Sequence, residues 1–162
     1  MISPQEALVY TMVAAAEADH DIADAEINLI GDLANHLPIF KGVDRAVMTE
    51  MATRCSDMLA RAGGSDQVFG LIRQALSMPL RETAYALACD VIAVDSRLNR
   101  AEMRILEKIR AQLEVDPAMA RAIEQVAEVR FKAAEATRSG RTHVGRRSPG
   151  IAPNPGTGRC GA

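Results

Sequence analysis

Tryptophan is absent from this chain, and two Tyr and three Phe are its only aromatic residues. A sheet core draws on aromatic and β-branched side chains, and no stretch here alternates apolar and polar residues with period two. Both facts argue against a β-fold. The core must come from Leu, Ile, Val, Ala and Met, which suits packed helices. Cysteine is sparse as well: Cys55, Cys89 and Cys160 form no CxxC pair, which argues against a zinc ribbon or a dithiol redox motif. Cys55 and Cys89 fall inside helical patterns and are expected to act as small buried hydrophobes.

No basic segment followed by an apolar one opens the sequence, and no apolar run approaches the length of a membrane span. A soluble, cytoplasmic protein without direct membrane insertion is expected. The histidines are His20, His36 and His143, too few for the ligand set of a His-Asp phosphohydrolase and badly placed for a catalytic triad. A Gly-rich phosphate loop is missing from the helical part, as is G-x-S-x-G. The expectation is a protein that is not an enzyme and carries no organic cofactor.

Basic residues are missing where acids gather. Residues 1–40 hold no Lys or Arg but seven acids: Glu6, Glu17, Asp19, Asp21, Asp24, Glu26 and Asp32. Residues 41–136 balance, with 14 acids and 14 basic residues, and residues 137–162 hold five Arg and no acid. The acidic pole repels nucleic acid, so no nucleic-acid partner is expected, and it attracts cations or basic protein segments.

The chain is long enough for one domain with a real core. Ser3-Pro4-Gln5-Glu6 is a capping box with proline at the first helical position, so a helix should run from there to about Ala18 with Leu8, Met12, Ala15, Val9 and Ala16 inward. A second helix is expected from about Asp24 to His36, before Pro38. A third should span roughly Asp44 to Arg61, with Val47, Met51, Cys55, Met58 and Leu59 at helical spacing, ended by Gly63-Gly64. Ser65 or Asp66 is expected to cap a fourth helix to about Ser77, and Pro79 to open a fifth to Val94. Asn99-Arg100-Ala101-Glu102 is a second capping box, for a sixth helix ending near Leu113. Asp116-Pro117 is a cap and first-turn proline for a seventh, to about Ala136. The fold class expected is all-α, a compact bundle of about seven helices over residues 1–136. Residues 137–162, rich in Gly, Pro, Ser, Thr and Arg, cannot bury enough to offset their ordering entropy and are expected to form a disordered basic tail.

One stretch occurs twice. Ala14–Leu33 reads AAAEADHDIADAEINLIGDL, and Asp90–Ile109 reads DVIAVDSRLNRAEMRILEKI. In register, Asp19 falls on Asp95, Glu26 on Glu102, Ile30 on Leu106 and Leu33 on Ile109. A helix–loop–helix unit used twice is expected, two pseudo-symmetric halves each placing an Asp at the end of one helix and a Glu in the first turn of the next. The Glu suits the helix dipole there and can reach back to the cap amide. The Asp faces carbonyl dipoles of like sign and needs an offset from loop amides, an Arg or a cation. Three roles stay open on spacing alone. The two loops could present four carboxylates to a hard cation; Arg97 and Arg100 could neutralise the acids directly; or the pole could hold a protein partner. An EF-hand fails, since its sixth and twelfth positions would be Asp24 and Ile30, and a di-iron site would need a second copy of Glu17-x-x-His20.

With these residues in view, the chain resembles the TerB family, named for tellurite resistance and related to a domain of some membrane-linked DnaJ-type co-chaperones. The family pattern is a twice-used A-D-G-x-x-x-x-x-E in an all-helical domain. Here it reads Ala18-Asp19-His20 to Glu26 and Val94-Asp95-Ser96 to Glu102, with His20 and Ser96 in place of the two glycines. An L-G-L-D-P-like step follows as Leu113-Glu114-Val115-Asp116-Pro117. The resemblance covers about residues 5–136. It implies a non-enzymatic module of a tellurite, metal or general stress response, working with a protein partner that can be membrane-associated. It also implies binding of a divalent cation, Ca²⁺ or similar, through Asp19, Glu26, Asp95 and Glu102. The alternative is a metal-independent scaffolding domain that binds a basic protein partner at its acidic face.

Overall fold

A computed structural model of the protein describes residues 1–16, 30–32, 36–93 and 100–139, the side chains of 101 and 131–139 apart. Among them are six α-helices, one short 3-10 helix and no strand: α1 (Pro4–Ala16), the 3-10 helix (Pro38–Phe40), α2 (Arg45–Leu59), α3 (Gly64–Ala75), α4 (Met78–Ala93), α5 (Arg100–Leu113) and α6 (Pro117–Ser139). Residues 30–32 are helical as well, within the expected second helix. The all-α class and most helix limits follow the sequence. The last helix runs three residues past the expected Ala136, and the tail beyond it lies outside the described residues, as do the two repeated loops.

The bundle is organised around α1. Every residue from Glu6 to Val13 is buried, with Ala15 and Ala16. One inward stripe was expected, but the helix is enclosed on all sides. From Ala7 to Ala16 it carries no charge, and a helix apolar all round belongs in the interior. It packs on α4, α2 and α3, and more lightly on α5. Two of its polar groups find partners within the helix: Thr11 Oγ1 donates to the Ala7 carbonyl (2.9 Å), and Tyr10 Oη to Glu6 Oε1 (3.1 Å). The second half of α4, from Ala84 to Ala93, is buried in the same way except for half-buried Ala86.

α2 is rotated from expectation. Met48, Ala52 and Cys55 are buried, Met51, Met58 and Leu59 are partly buried, and Val47 is exposed. The stripes through 47/51/55/58 and 48/52/55/59 share Cys55, and the close approach of α1 selects the second. Asp44 caps this helix by accepting from Ala46 N (3.0 Å).

The start of α3 corrects a second expectation. Its cap is Gly63, at φ 74°, with no side-chain cap bond, rather than Ser65 or Asp66. Gly64 begins the helix one turn early because the end of α2 lies on it: a Cβ there would stand 1.9 Å from the Met58 carbonyl oxygen. Gly63 supplies the left-handed conformation and Gly64 supplies space.

Between α5 and α6 the chain turns through a Schellman motif. Val115 N donates to the Arg110 carbonyl (3.2 Å) and Glu114 N to that of Ala111 (3.3 Å). Glu114 has φ 57°, the one positive value outside glycine among the described residues. It occupies the position where the family step has glycine. Asp116 then caps α6 as expected, accepting from Ala118 N (2.9 Å) and Met119 N (3.1 Å).

Candidate functional site

Of the four acids singled out by the repeat, Glu102 is described. It sits in the first turn of α5 and is 9% exposed. Asp19, Glu26 and Asp95 lie outside the described residues, as do Arg97 and the second box's Asn99. The repeat's aliphatic positions are consistent where they are described: Ile30 and its equivalent Leu106 are both buried. Among the described residues no three His, Cys, Asp or Glu side chains converge as a metal-binding group.

The structure shows three buried polar pairings that spacing did not reveal. Ser3 Oγ accepts from Glu6 N (3.1 Å), which is one half of the expected capping box. The Glu6 carboxylate turns inward to accept from Tyr10 and from Arg54 on α2 (2.8 Å), and Arg54 also pairs with Glu50 (2.9 Å). Burial, then the Glu6 carboxylate, pushes the Tyr10 hydroxyl up to about 12, so it remains a donor at any physiological pH.

Asp90 lies in the apolar run of α4 and is 8% exposed, with both carboxylate oxygens on Arg130 Nη1 (2.9 and 2.8 Å). Burial raises its pKa above the usual carboxylate range, and Arg130 offsets part of the rise. One turn earlier, Tyr85 Oη donates to Glu124 of α6, and burial followed by that carboxylate raises its pKa too. Cys89, between them, is pushed up to about 12 by burial and then by Glu124 and Asp90. Such a thiol stays protonated and is a poor nucleophile. Cys55 is fully buried and donates to the Tyr10 carbonyl (3.7 Å), so both behave as core residues.

These acids pin helices together, Glu6 through Arg54, Asp90 through Arg130 and Glu124 through Tyr85. A single charge inside an apolar run, as at Asp90 between Ala88 and Ile92, was the one available signal that an acid points inward.

Two clefts flank α6. The first, about 330 Å³, lies between α5 and α6, with Met103, Leu106, Pro117 and Ala120 as its apolar lining. Arg104, Arg110 and Arg121 stand around it with Glu107 and Glu124, and none of the three arginines closes an ion pair with another described residue. It offers guanidinium groups to an anionic group laid on an apolar floor. The second, about 260 Å³, lies between α4 and α6 and is almost wholly apolar. No described helix is long and apolar enough to cross a membrane.

No curated protein and no solved structure matches the chain. A family model described as tellurite resistance protein TerB matches residues 5–125, from the second residue of α1 to the middle of α6. That span takes in the enclosed helix α1, both repeat units and the left-handed Leu113–Pro117 turn, and the chain belongs to the TerB family.

Proposed function

We propose that this protein is a non-enzymatic, cytoplasmic TerB module that takes up a divalent cation, Ca²⁺ or similar, through its paired acidic loops. Asp19, Glu26, Asp95 and Glu102 would supply the ligands, a set of carboxylate oxygens that suits a hard cation. The ion would alter docking to a protein partner in a tellurite, metal or general stress response. Membership of the family, together with the duplicated Asp-to-Glu spacing, is the observation that carries this role. Glu102 supports it by standing in the first turn of α5, where a carboxylate suits the helix dipole.

Calorimetric titration of the full chain with Ca²⁺, Mg²⁺ and Mn²⁺ tests it. Saturable heat and a raised melting temperature are expected, with Asp19→Ala and Asp95→Ala each weakening the response. Absence of heat and of any melting shift at millimolar ion would refute ion binding. The acidic charge of residues 1–40 favours one alternative, a metal-independent scaffold for a basic protein segment. Partner binding would then weaken with salt and ignore chelator.

A further inference from the structure

We propose that the wedge between α5 and α6 is a binding site for a small anionic amphiphile, a carboxylate, sulfonate or phosphate ester on an apolar body. Arg104, Arg110 and Arg121 would hold the anion, and Leu106 and Ala120 would carry the body. The site is separate from the acidic loops and independent of ion binding. α5 and α6 are joined by the short Leu113–Pro117 turn, yet α6 packs along α4 rather than α5. The bonds Tyr85–Glu124 and Asp90–Arg130 fix it there. The two helices therefore diverge from their turn, and the space left between them is the cleft of about 330 Å³.

Its floor is apolar and belongs to the core. Leu106 and Ala120 are buried, while Pro117 and Met103 complete the apolar lining nearer solvent. Met103 is 60% exposed, and its unbranched thioether adapts to ligands of different shape. The volume stands near the lower end of small-molecule sites, roughly 300–1,000 Å³. That suits fused rings or a short alkyl chain better than a long acyl chain.

The rim decides the charge of the occupant. Arginines elsewhere on the helices are engaged: Arg54 by Glu6 and Glu50, Arg73 by Gln112, Arg81 by Glu114, and Arg130 by Asp90. Arg104, Arg110 and Arg121 have no hydrogen-bond or ion-pair partner among the described residues, and all three line this one cleft. Of the two acids beside them, Glu124 turns one oxygen to the Tyr85 hydroxyl on α4. Three positive charges thus stand against two negative ones. A planar guanidinium binds an anion of two or three oxygens through paired N–H donors, and the apolar floor beside it takes the rest of the molecule. A neutral ligand gains nothing from the arginines, and a cation is repelled.

One anionic group and one short apolar body set a modest affinity, with a Kd on the order of 100 μM. Arg110 is half-buried, so its guanidinium is less screened by water and salt, and its loss should weaken binding roughly tenfold. Arg104 and Arg121 are exposed, and each should matter by about two- to fivefold.

Fluorescence titration of the full chain with anilinonaphthalene sulfonate tests the proposal, with octyl phosphate, octanoate, octanol and octylamine as competitors. Saturable one-to-one binding is expected, displaced by octyl phosphate and octanoate but not by octanol or octylamine at equal concentration. Arg110→Gln should weaken it, and Met103→Glu should abolish it with an unchanged circular dichroism spectrum, since Met103 is already more than half exposed. Val126→Glu, which sets the same charge at the apolar cleft between α4 and α6, should leave binding intact. Flotation with phosphatidylcholine vesicles containing phosphatidic acid separates the two sources of such an anion. Flotation that is lost in Arg110→Gln assigns the site to a lipid headgroup, and no flotation beside displacement by octyl phosphate assigns it to a free amphiphile. Absence of saturable binding at millimolar probe overturns the proposal. So does binding that survives both Arg110→Gln and Met103→Glu, that is lost in Val126→Glu, or that octanol displaces as well as octyl phosphate does.

Discussion

Glu114 holds a left-handed backbone, and replacing it measures what that conformation costs. The turn from α5 to α6 needs φ 57° at this residue so that Val115 N and Glu114 N can reach back to the Arg110 and Ala111 carbonyls. For an L-residue other than Gly, Asn or Asp that conformation costs roughly 1–2 kcal/mol. Glycine adopts it freely but gives up about 0.4–1 kcal/mol through the greater freedom of its unfolded chain. Glu114→Gly should therefore exceed Glu114→Ala by about 0.5–1 kcal/mol. For a chain of this size that is roughly 1–4 °C in melting temperature.

The alanine variant is the proper reference because both variants lose the same ion pair, Arg81 to Glu114. Glu114 is 64% exposed, so the pair is worth at most about 1 kcal/mol. Arg81 keeps other partners either way, since it donates to the Arg73 carbonyl (2.9 Å) and the Leu76 carbonyl (3.3 Å). The expected order is Glu114→Gly close to the parent protein and Glu114→Ala below both, by thermal and urea unfolding followed at 222 nm. Alanine equal to or above glycine would refute a left-handed turn at this position.

Gly64→Ala should cost about 2–3 kcal/mol, because the new Cβ meets backbone atoms of Met58 and no rotamer change can relieve it. Gly70→Ala, with open space around it inside α3, should instead stabilise by about 0.5–1 kcal/mol, and the two melting curves together check the packing of α2 on α3. Asp90 has a raised pKa in the fold, so the native state holds its proton more tightly than the unfolded chain. Its stabilising contribution is greatest below about pH 4 and is lost as pH rises through the higher native value. Asp90→Asn should therefore gain on the parent protein between pH 4 and 7, and a melting-temperature difference that stays constant or falls would show that burial does not dominate. Cys89, pushed up to about 12, and fully buried Cys55 should resist thiol reagents in the native protein and react only on unfolding.

Several elements were legible from particular residues. The Ser3 and Asp116 caps hold because a short oxygen-bearing side chain before a helix accepts the exposed amides whatever the rest of the chain does. The absence of charge from Ala7 to Ala16 already implied an enclosed helix, although a stripe was expected. Gly64 was legible only as a breaker; its lack of a side chain matters through the Met58 carbonyl, which is a neighbour in space. The inward turn of Glu6 was likewise hidden, because the partner that draws it in, Arg54, belongs to another helix.

The candidate ion site remains a property of the sequence: a repeated acidic spacing whose described member, Glu102, sits buried at a helix start. Local chemistry determined the all-α class, the helix limits and the polarity of charge, because caps, prolines and apolar periodicity act within a few residues. Tertiary structure decided which face of α2 is buried, why Gly64 has no room for a side chain, how Glu6 is drawn inward and how Asp90 is neutralised. Each of these depends on what another helix presents at the point of contact, and a single sequence does not carry that information locally.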